Sequence, residues 1–457
     1  MSAKIAWVAT AVFAAGFGAL AVLEHRAFET GRFDLGNMTQ AVWSTAHGRP
    51  LQVTDLSGEQ ITRLGAHVDP ILVAFAPLWW IWPSPTMLLV LQAAAVALGA
   101  LPAFWLGRKH LGSTTAGSFS ALTYLVYPAV QWLPLDEFHP VALACPLLLY
   151  AFWYLDEDRL WAFVPFGLAA ALTKEELPLV VGALGLWYAL AKRRWIGGGA
   201  IALAGVVATA IALGIVMPHF RDGTDPAFYG RYDAVGGSPG GILRTAVTDP
   251  LTILEAITQE RDLTYIVELG LPLLGLFVLA PLALIPALPE LAANLLSSVS
   301  TQTSVHFHYT APITPFLFAG AIVGAGRLRD RRVAAALLAG CVAGAVLVGP
   351  LRAGELVPER RPEHDRVAAR ALELIPADAA VSSTNGLGGH LSERRRIQSF
   401  PVIRDATWVA VDLKRASYLD LRSSSSTTAV PLARLLGSGS WRKVFDEDGI
   451  IVLSKTR

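Results

Sequence analysis

The apolar residues of this chain fall in long runs separated by short polar clusters, without the alternation that marks half-buried strands. A run of that kind satisfies its own backbone hydrogen bonds as a helix, as hydrocarbon requires. The runs predict about eleven transmembrane helices, at residues 5–23, 86–106, 116–133, 140–155, 160–172, 177–190, 197–217, 266–284, 287–300, 311–326 and 333–348. The first follows Lys4 as a signal peptide would, but it is long enough to span and no small-x-small pattern precedes the polar stretch from Glu24. It is read as a retained helix with a cytoplasmic N-terminus.

Residues 24–69 are too hydrophilic to cross, and 70–83, with Trp79, Trp80 and Trp82, suit a helix lying at the interface. With that segment interfacial, Arg108 and Lys109, then Lys192, Arg193 and Arg194, then Arg327, Arg329, Arg331 and Arg332 all fall on the cytoplasmic side. The external loops are then 24–85 and 218–265, the second made flexible by Gly236, Gly237, Gly240 and Gly241 and suited to a lid. An odd number of spans delivers the C-terminus outside.

The pattern changes at residue 352. Residues 352–457 read as a small extracytoplasmic α/β domain, against a membrane domain at 1–351. It has an amphipathic helix over 363–375, strands at 380–383 and 408–412, and a hairpin of 441–446 with 449–454 turned at Asp448-Gly449. The serine run 423–426 reads as a loop. The fold class is an all-α polytopic membrane protein with that appended domain.

Composition sharpens this picture. Hydrophobic residues make up 53% and charged residues 16%, with mean hydropathy +0.48, too little charge to clothe a soluble surface. Lys and Arg number 37 against 36 Asp and Glu, so there is no basic excess suited to nucleic acid. Cys145 and Cys341 lie inside apolar runs, as buried thiols do.

Four polar clusters project to the external side under this topology, and ionisable groups near membrane depth call for a reason. Asp34, in Phe33-Asp34-Leu35-Gly36-Asn37, suits a general base, or alternatively the start of a helix that it caps. Asp136, Glu137 and His139 have the donor types of a divalent metal site or an acid–base pair, though loops at a membrane surface are also polar simply because they are wet. Lys174 beside Glu175 and Glu176 suits a phosphate held by the ammonium, or a solvated ion pair. His306 and His308 alternate with Phe307 and Tyr309, so an extended segment would aim both imidazoles at one ligand; satisfied surface histidines are the other reading. No Walker loop, HExxH or GxSxG occurs.

Phe33-Asp34-Leu35-Gly36-Asn37, followed by Gln40, Trp43 and Gly48, resembles the GT-C superfamily of membrane glycosyltransferases. Residues 34–48, His67-Val68-Asp69-Pro70, Glu137-Phe138-His139-Pro140, Lys174-Glu175 and His308-Tyr309 are similar to a family of bacterial membrane proteins of unknown function placed within that superfamily. The resemblance implies Asp34 as catalytic base, a polyprenyl-phosphate-linked sugar as donor, an acceptor not identified, and transfer on the outer face of the plasma membrane. It further implies that Asn37, Gln40, His67, Asp69, Glu137, His139, Lys174, Glu175, His308 and Tyr309 face substrate. The loop departs from relatives with an Asp-x-Asp pair, which leaves a metal at Asp136, Glu137 and His139 as an option and no cofactor as a requirement. A transporter or flippase, or a scaffold whose external domain binds a partner, are the other classes; charges near one face and the absence of matching halves favour the enzyme.

An alkaline phosphatase fused to the C-terminus should be active and a fluorescent protein fused there dark. The reverse result overturns the odd-span topology.

Overall fold

The computed structural model describes residues 3–221, 226–330, 332–354, 356–357, 361–415, 417, 420 and 428–456. Among the described residues, four helices are long and apolar enough to cross a membrane: Ala3–Arg26, Pro85–His110, Trp195–His219 and Val333–Arg352. Shorter apolar helices at Pro140–Asp156, Leu160–Ala171, Leu177–Lys192 and Pro281–Leu296 fall where spans were expected. The helical membrane architecture stands, whereas the full count of eleven spans is not reached.

Proline explains much of the shortening. Helix Thr114–Val126 stops at Tyr127, held extended with ψ 123 by the Pro128 ring that follows it. Over 266–284, expected as one span, helix Glu260–Gly270 instead gives way to short turns at Leu271–Leu273, Leu276–Leu279 and Pro281–Ala287. Pro272, Pro281 and Pro286 remove backbone donors there, and Leu274 and Gly275 turn left-handed with φ 54 and 63.

Helices Leu177–Lys192 and Trp195–Ile211 touch backbone to backbone, since a Cβ on Gly198 would lie 2.5 Å from the Gly185 carbonyl oxygen. The far side of Trp195–Ile211 exposes Ile196, Leu203 and Val206, as lipid contact requires. The short helix Pro70–Trp79 leads into exposed Trp80, Ile81 and Trp82, with the Trp80 indole donating to the Ala46 carbonyl at 3.0 Å. Exposed aromatic residues of this kind are what the interfacial reading of 70–83 calls for.

The C-terminal part is a small β domain. Strands β1 (Gln52–Thr54) and β2 (Gln60–Thr62) form a hairpin in the first loop, and β3 (Val381–Ser383), β4 (Ile397–Ser399), β5 (Trp408–Asp412), β6 (Trp441–Glu447) and β7 (Ile450–Lys455) form one sheet in the order β4-β3-β5-β7-β6. β3 runs parallel to β4 and β5, and β7 antiparallel to β5 and β6. Helix Pro362–Glu373 lays Val367, Ala368 and Ala371 on one face against Val381, Ala410 and Val452. On the other face Val409, Val411, Leu453 and Trp441 pack with Leu432. The expected helix, hairpin and two strands are present, β4 is additional, and 423–426 lies outside the described residues.

His364 ties this helix to the sheet: Nδ1 meets Asp448 and Nε2 meets Asp412, each at 2.8 Å. Burial pulls its imidazole down, but bonds to Asp412 and Asp448 outweigh that and hold it above the ordinary value. A raised folded value means stabilisation that is complete below the unfolded value, about 6.5, and is lost as pH rises through the folded one. The melting temperature of the domain should therefore fall as pH rises above about 6.5. His364→Gln should flatten that dependence and cost roughly 2 kcal/mol at the acidic end, read from thermal melts of the full chain.

Candidate functional site

In the loop that follows the first helix, a single wide helical turn, Arg32–Gly36, runs straight into helix Asn37–Ala46. Asp34 lies within the turn, and its side chain caps no helix. Its Oδ1 instead faces His139 Nε2 at 3.2 Å, with the side chain 35% exposed.

His139 belongs to the turn after the 116–133 segment, and that turn is fastened from helix Pro85–Leu98. The fully buried Gln92 amide donates to the carbonyls of Leu133 (2.9 Å) and Glu137 (2.6 Å) and accepts the His139 N–H (2.9 Å). Glu137 turns left-handed there, with φ 46, and its carboxyl accepts the N–H groups of Gly31 (3.0 Å) and Leu35 (2.8 Å). Glu137 thus holds both ends of the turn that carries Asp34. Burial and the neighbouring Asp34 push its carboxyl above the ordinary range, against the pull of the two N–H groups.

The imidazole geometry is set by what each ring nitrogen meets. His139 Nδ1 lies 2.7 Å from the Asp136 main-chain oxygen, an acceptor only, so Nδ1 carries a proton and Nε2 is left for Asp34. Asp136 Oδ2 accepts both the backbone N–H (2.7 Å) and Nδ1 (2.8 Å) of His308. The His139 and His308 rings stack at 3.6 Å and 19°. Burial lowers His139, but Asp136 and Asp34 outweigh it and raise the ring to about 9. Burial and then the His139 charge push His308 down to about 4. At neutral pH an imidazolium therefore sits beside Asp34 and a neutral imidazole beside Asp136.

The line continues into a cationic end. The Tyr309 ring lies against His308, tilted by 37° with centroids 4.2 Å apart; Lys174 Nζ lies 5.5 Å from the centre of the Tyr309 ring and the Arg231 guanidinium 5.7 Å. Arg231 also donates to the Tyr309 hydroxyl at 3.3 Å, and Lys174 pairs with Glu176 at 2.5 Å. Glu290 is buried within electrostatic range of Lys174 and Glu176, with Oε2 lacking a hydrogen-bond partner among the described residues.

The other expected residues bind within the protein. His67 Nδ1 and the Val68 N–H meet the Glu175 carboxylate, each at 2.9 Å, joining the loop to the 174–176 turn. Asp69 pairs with buried Arg63 at 2.6 Å, and Arg63 reaches the Asn37 amide oxygen at 3.1 Å. Gln40 is buried against Thr54 and the carbonyls of Arg394 and Arg395. His306 does not join His308: short helical turns at Ser300–Thr303 and His308–Thr310 flank it, and its ring packs on Trp132 at 4.5 Å. Asp136, His139 and His308 offer ligand atoms within 4.8 Å of one another, while both Glu137 oxygens are occupied by backbone. Because the two rings are nearly parallel, their in-plane lone pairs do not converge, and a shared ion requires one ring to turn.

Three participants escaped the sequence reading. Glu290 had a signal, a lone acid inside an apolar run. Arg231 and Gln92 had none, being one cation in a glycine-rich loop and one amide in a span.

The fold and its polar line define a helical membrane protein with a partly buried acid–imidazole–cation cluster and a small β domain. A family described as predicted membrane proteins (DUF2079) matches residues 24–452, and the chain belongs to that family. No curated protein matches it.

Glu137→Ala should free the amides of Gly31 and Leu35 and cost roughly 3 kcal/mol in thermal melts in detergent, with Glu137→Gln intermediate because one acceptor remains.

Proposed function

We propose that this protein is a membrane glycosyltransferase of GT-C type, moving a sugar from a polyprenyl-phosphate-linked donor to an acceptor outside the cytoplasm. In this reading residues 1–351 form the membrane domain, 352–457 an extracytoplasmic domain, and the N-terminus is cytoplasmic. The observation that carries it is the continuous line from Asp34 through His139 and His308 to Tyr309, with Lys174 and Arg231 about its ring. It has a carboxylate at one end and two cations at the other, as transfer from a phosphate leaving group requires.

Asp34 takes the proton of the acceptor hydroxyl or amine as that atom bonds to the anomeric carbon. The bond from that carbon to the phosphate oxygen breaks, and the polyprenyl phosphate leaves with the electron pair. Lys174 and Arg231 stabilise the charge appearing on it, and the His139 imidazolium orients Asp34. The lipid tail lies between helices beside the tryptophan-rich interfacial segment.

Asp34→Asn and Asp34→Ala should each lower transfer of labelled sugar in proteoliposomes about 10³-fold. Lys174→Met and Arg231→Met should each lower it about 10²-fold. Full activity in both Asp34 variants removes the assigned base, and movement of lipid-linked sugar across the bilayer without transfer identifies a flippase instead.

A further inference from the structure

The β domain does not stand apart from the turn that carries Asp34. Arg32, only 3% exposed, donates from Nε to the Ile397 carbonyl (3.0 Å), from Nη1 to Ser399 Oγ (2.7 Å) and from Nη2 to the Thr54 carbonyl (2.7 Å). The Phe33 N–H donates to Asn385 Oδ1 at 3.0 Å. Gln40 Nε2 reaches the carbonyls of Arg394 (3.1 Å) and Arg395 (3.0 Å). Phe28, just before the turn, is part of the domain's own core with Val367, Leu387 and Leu391.

The approach is closer than side chains would permit. A Cβ on Gly31 would fall 2.2 Å from Asn385 Nδ2, and one on Gly36 2.5 Å from Ser392 Oγ. From the other side, a Cβ on Gly388 would fall 2.7 Å from Arg32 Cβ. The turn is therefore gripped from two directions. Glu137 of the membrane part takes the amides of Gly31 and Leu35, while the β domain takes the amide of Phe33 and the Arg32 side chain. Asp34 projects between these grips. The family match, residues 24–452, likewise takes in both the turn and the strands that hold it.

We propose that the β domain is the second half of the site's scaffold, and that Arg32 is its positioning residue, setting the Asp34 carboxylate through Ile397 and Ser399. The consequence for rate rests on the glycosyltransferase reading, whereas the effect on the order of the turn does not. Glu137, Asn385, Ile397, Ser399 and Thr54 hold the segment from Gly31 to Leu35, so loss of one grip lets the turn shift, and a displacement of about 1 Å at a reacting group costs on the order of 10²-fold in rate.

The test uses the full chain in nanodiscs. Hydrogen exchange over residues 31–36 and steady-state transfer from a polyprenyl-phosphate sugar are compared for wild type, Arg32→Lys, Arg32→Met and Ser399→Ala. Arg32→Met should speed exchange of the turn about tenfold while leaving helix Pro85–Leu98 unchanged. It should lower kcat about 10²-fold at an unaltered KM for the donor. Arg32→Lys should fall between it and wild type, because an ammonium keeps some of the bonds but not the fork. Ser399→Ala, which removes a single bond and leaves Arg32 in place, should move both readouts the same way, and it decides the matter if Arg32→Met does not fold.

Unchanged exchange in the folded variants overturns the proposal. So does faster exchange with kcat intact, and so does a raised KM at constant kcat, which would make the domain a binding surface. If the wild type transfers no sugar, the glycosyltransferase reading falls while exchange alone still decides whether the β domain orders the turn.

Discussion

A polar group removed from water must find its partner inside the protein, and in this chain that constraint is concentrated on Glu137. Its carboxyl accepts two main-chain N–H groups from a loop more than a hundred residues earlier. Those bonds satisfy the carboxyl and shape the turn that presents Asp34. Gln92 does the complementary work from within a span, satisfying two carbonyls and one N–H of the turn that carries Glu137 and His139. Satisfaction of buried polar atoms and construction of the site are thus the same set of bonds.

The consequence is an electrostatic ordering along a short path. One imidazole is raised because two carboxyl groups facing it outweigh its burial, and its stacked neighbour is lowered by burial first and then by that neighbouring charge. Proton-holding and proton-accepting groups lie side by side, with cations collected around Tyr309 at the far end. Structural ion-pair networks and functional sites both cluster perturbed groups in this way. Loops and turns between the helices supply most of the groups involved.

Much of the fold was legible. Runs of apolar residues announced helices at the expected places, and the segment expected to be too short for a span is the short helix Pro70–Trp79. Alternation together with Asp448-Gly449 located the hairpin of β6 and β7. Span lengths were not legible, because hydropathy does not register where prolines and left-handed residues interrupt a helix, as they do over 266–284. Strand β4 escaped because three residues after an arginine run carry no period. In the site, residue types were readable, but a histidine and its near neighbour could not be told apart: His308 joins Asp136, whereas His306 packs on Trp132.

The sequence by itself determined that this is a helical membrane protein, that its ionisable residues collect between spans, and that a β-rich segment closes the chain, because each follows from local composition and period. Tertiary structure alone decided which carboxylate meets which imidazole, that Gln40, Asp69 and Glu175 bind within the protein, and that the last hundred residues grip the first loop. Those outcomes depend on contacts between residues hundreds of positions apart, such as Arg32 with Ile397, and no local pattern encodes the partner of a buried donor.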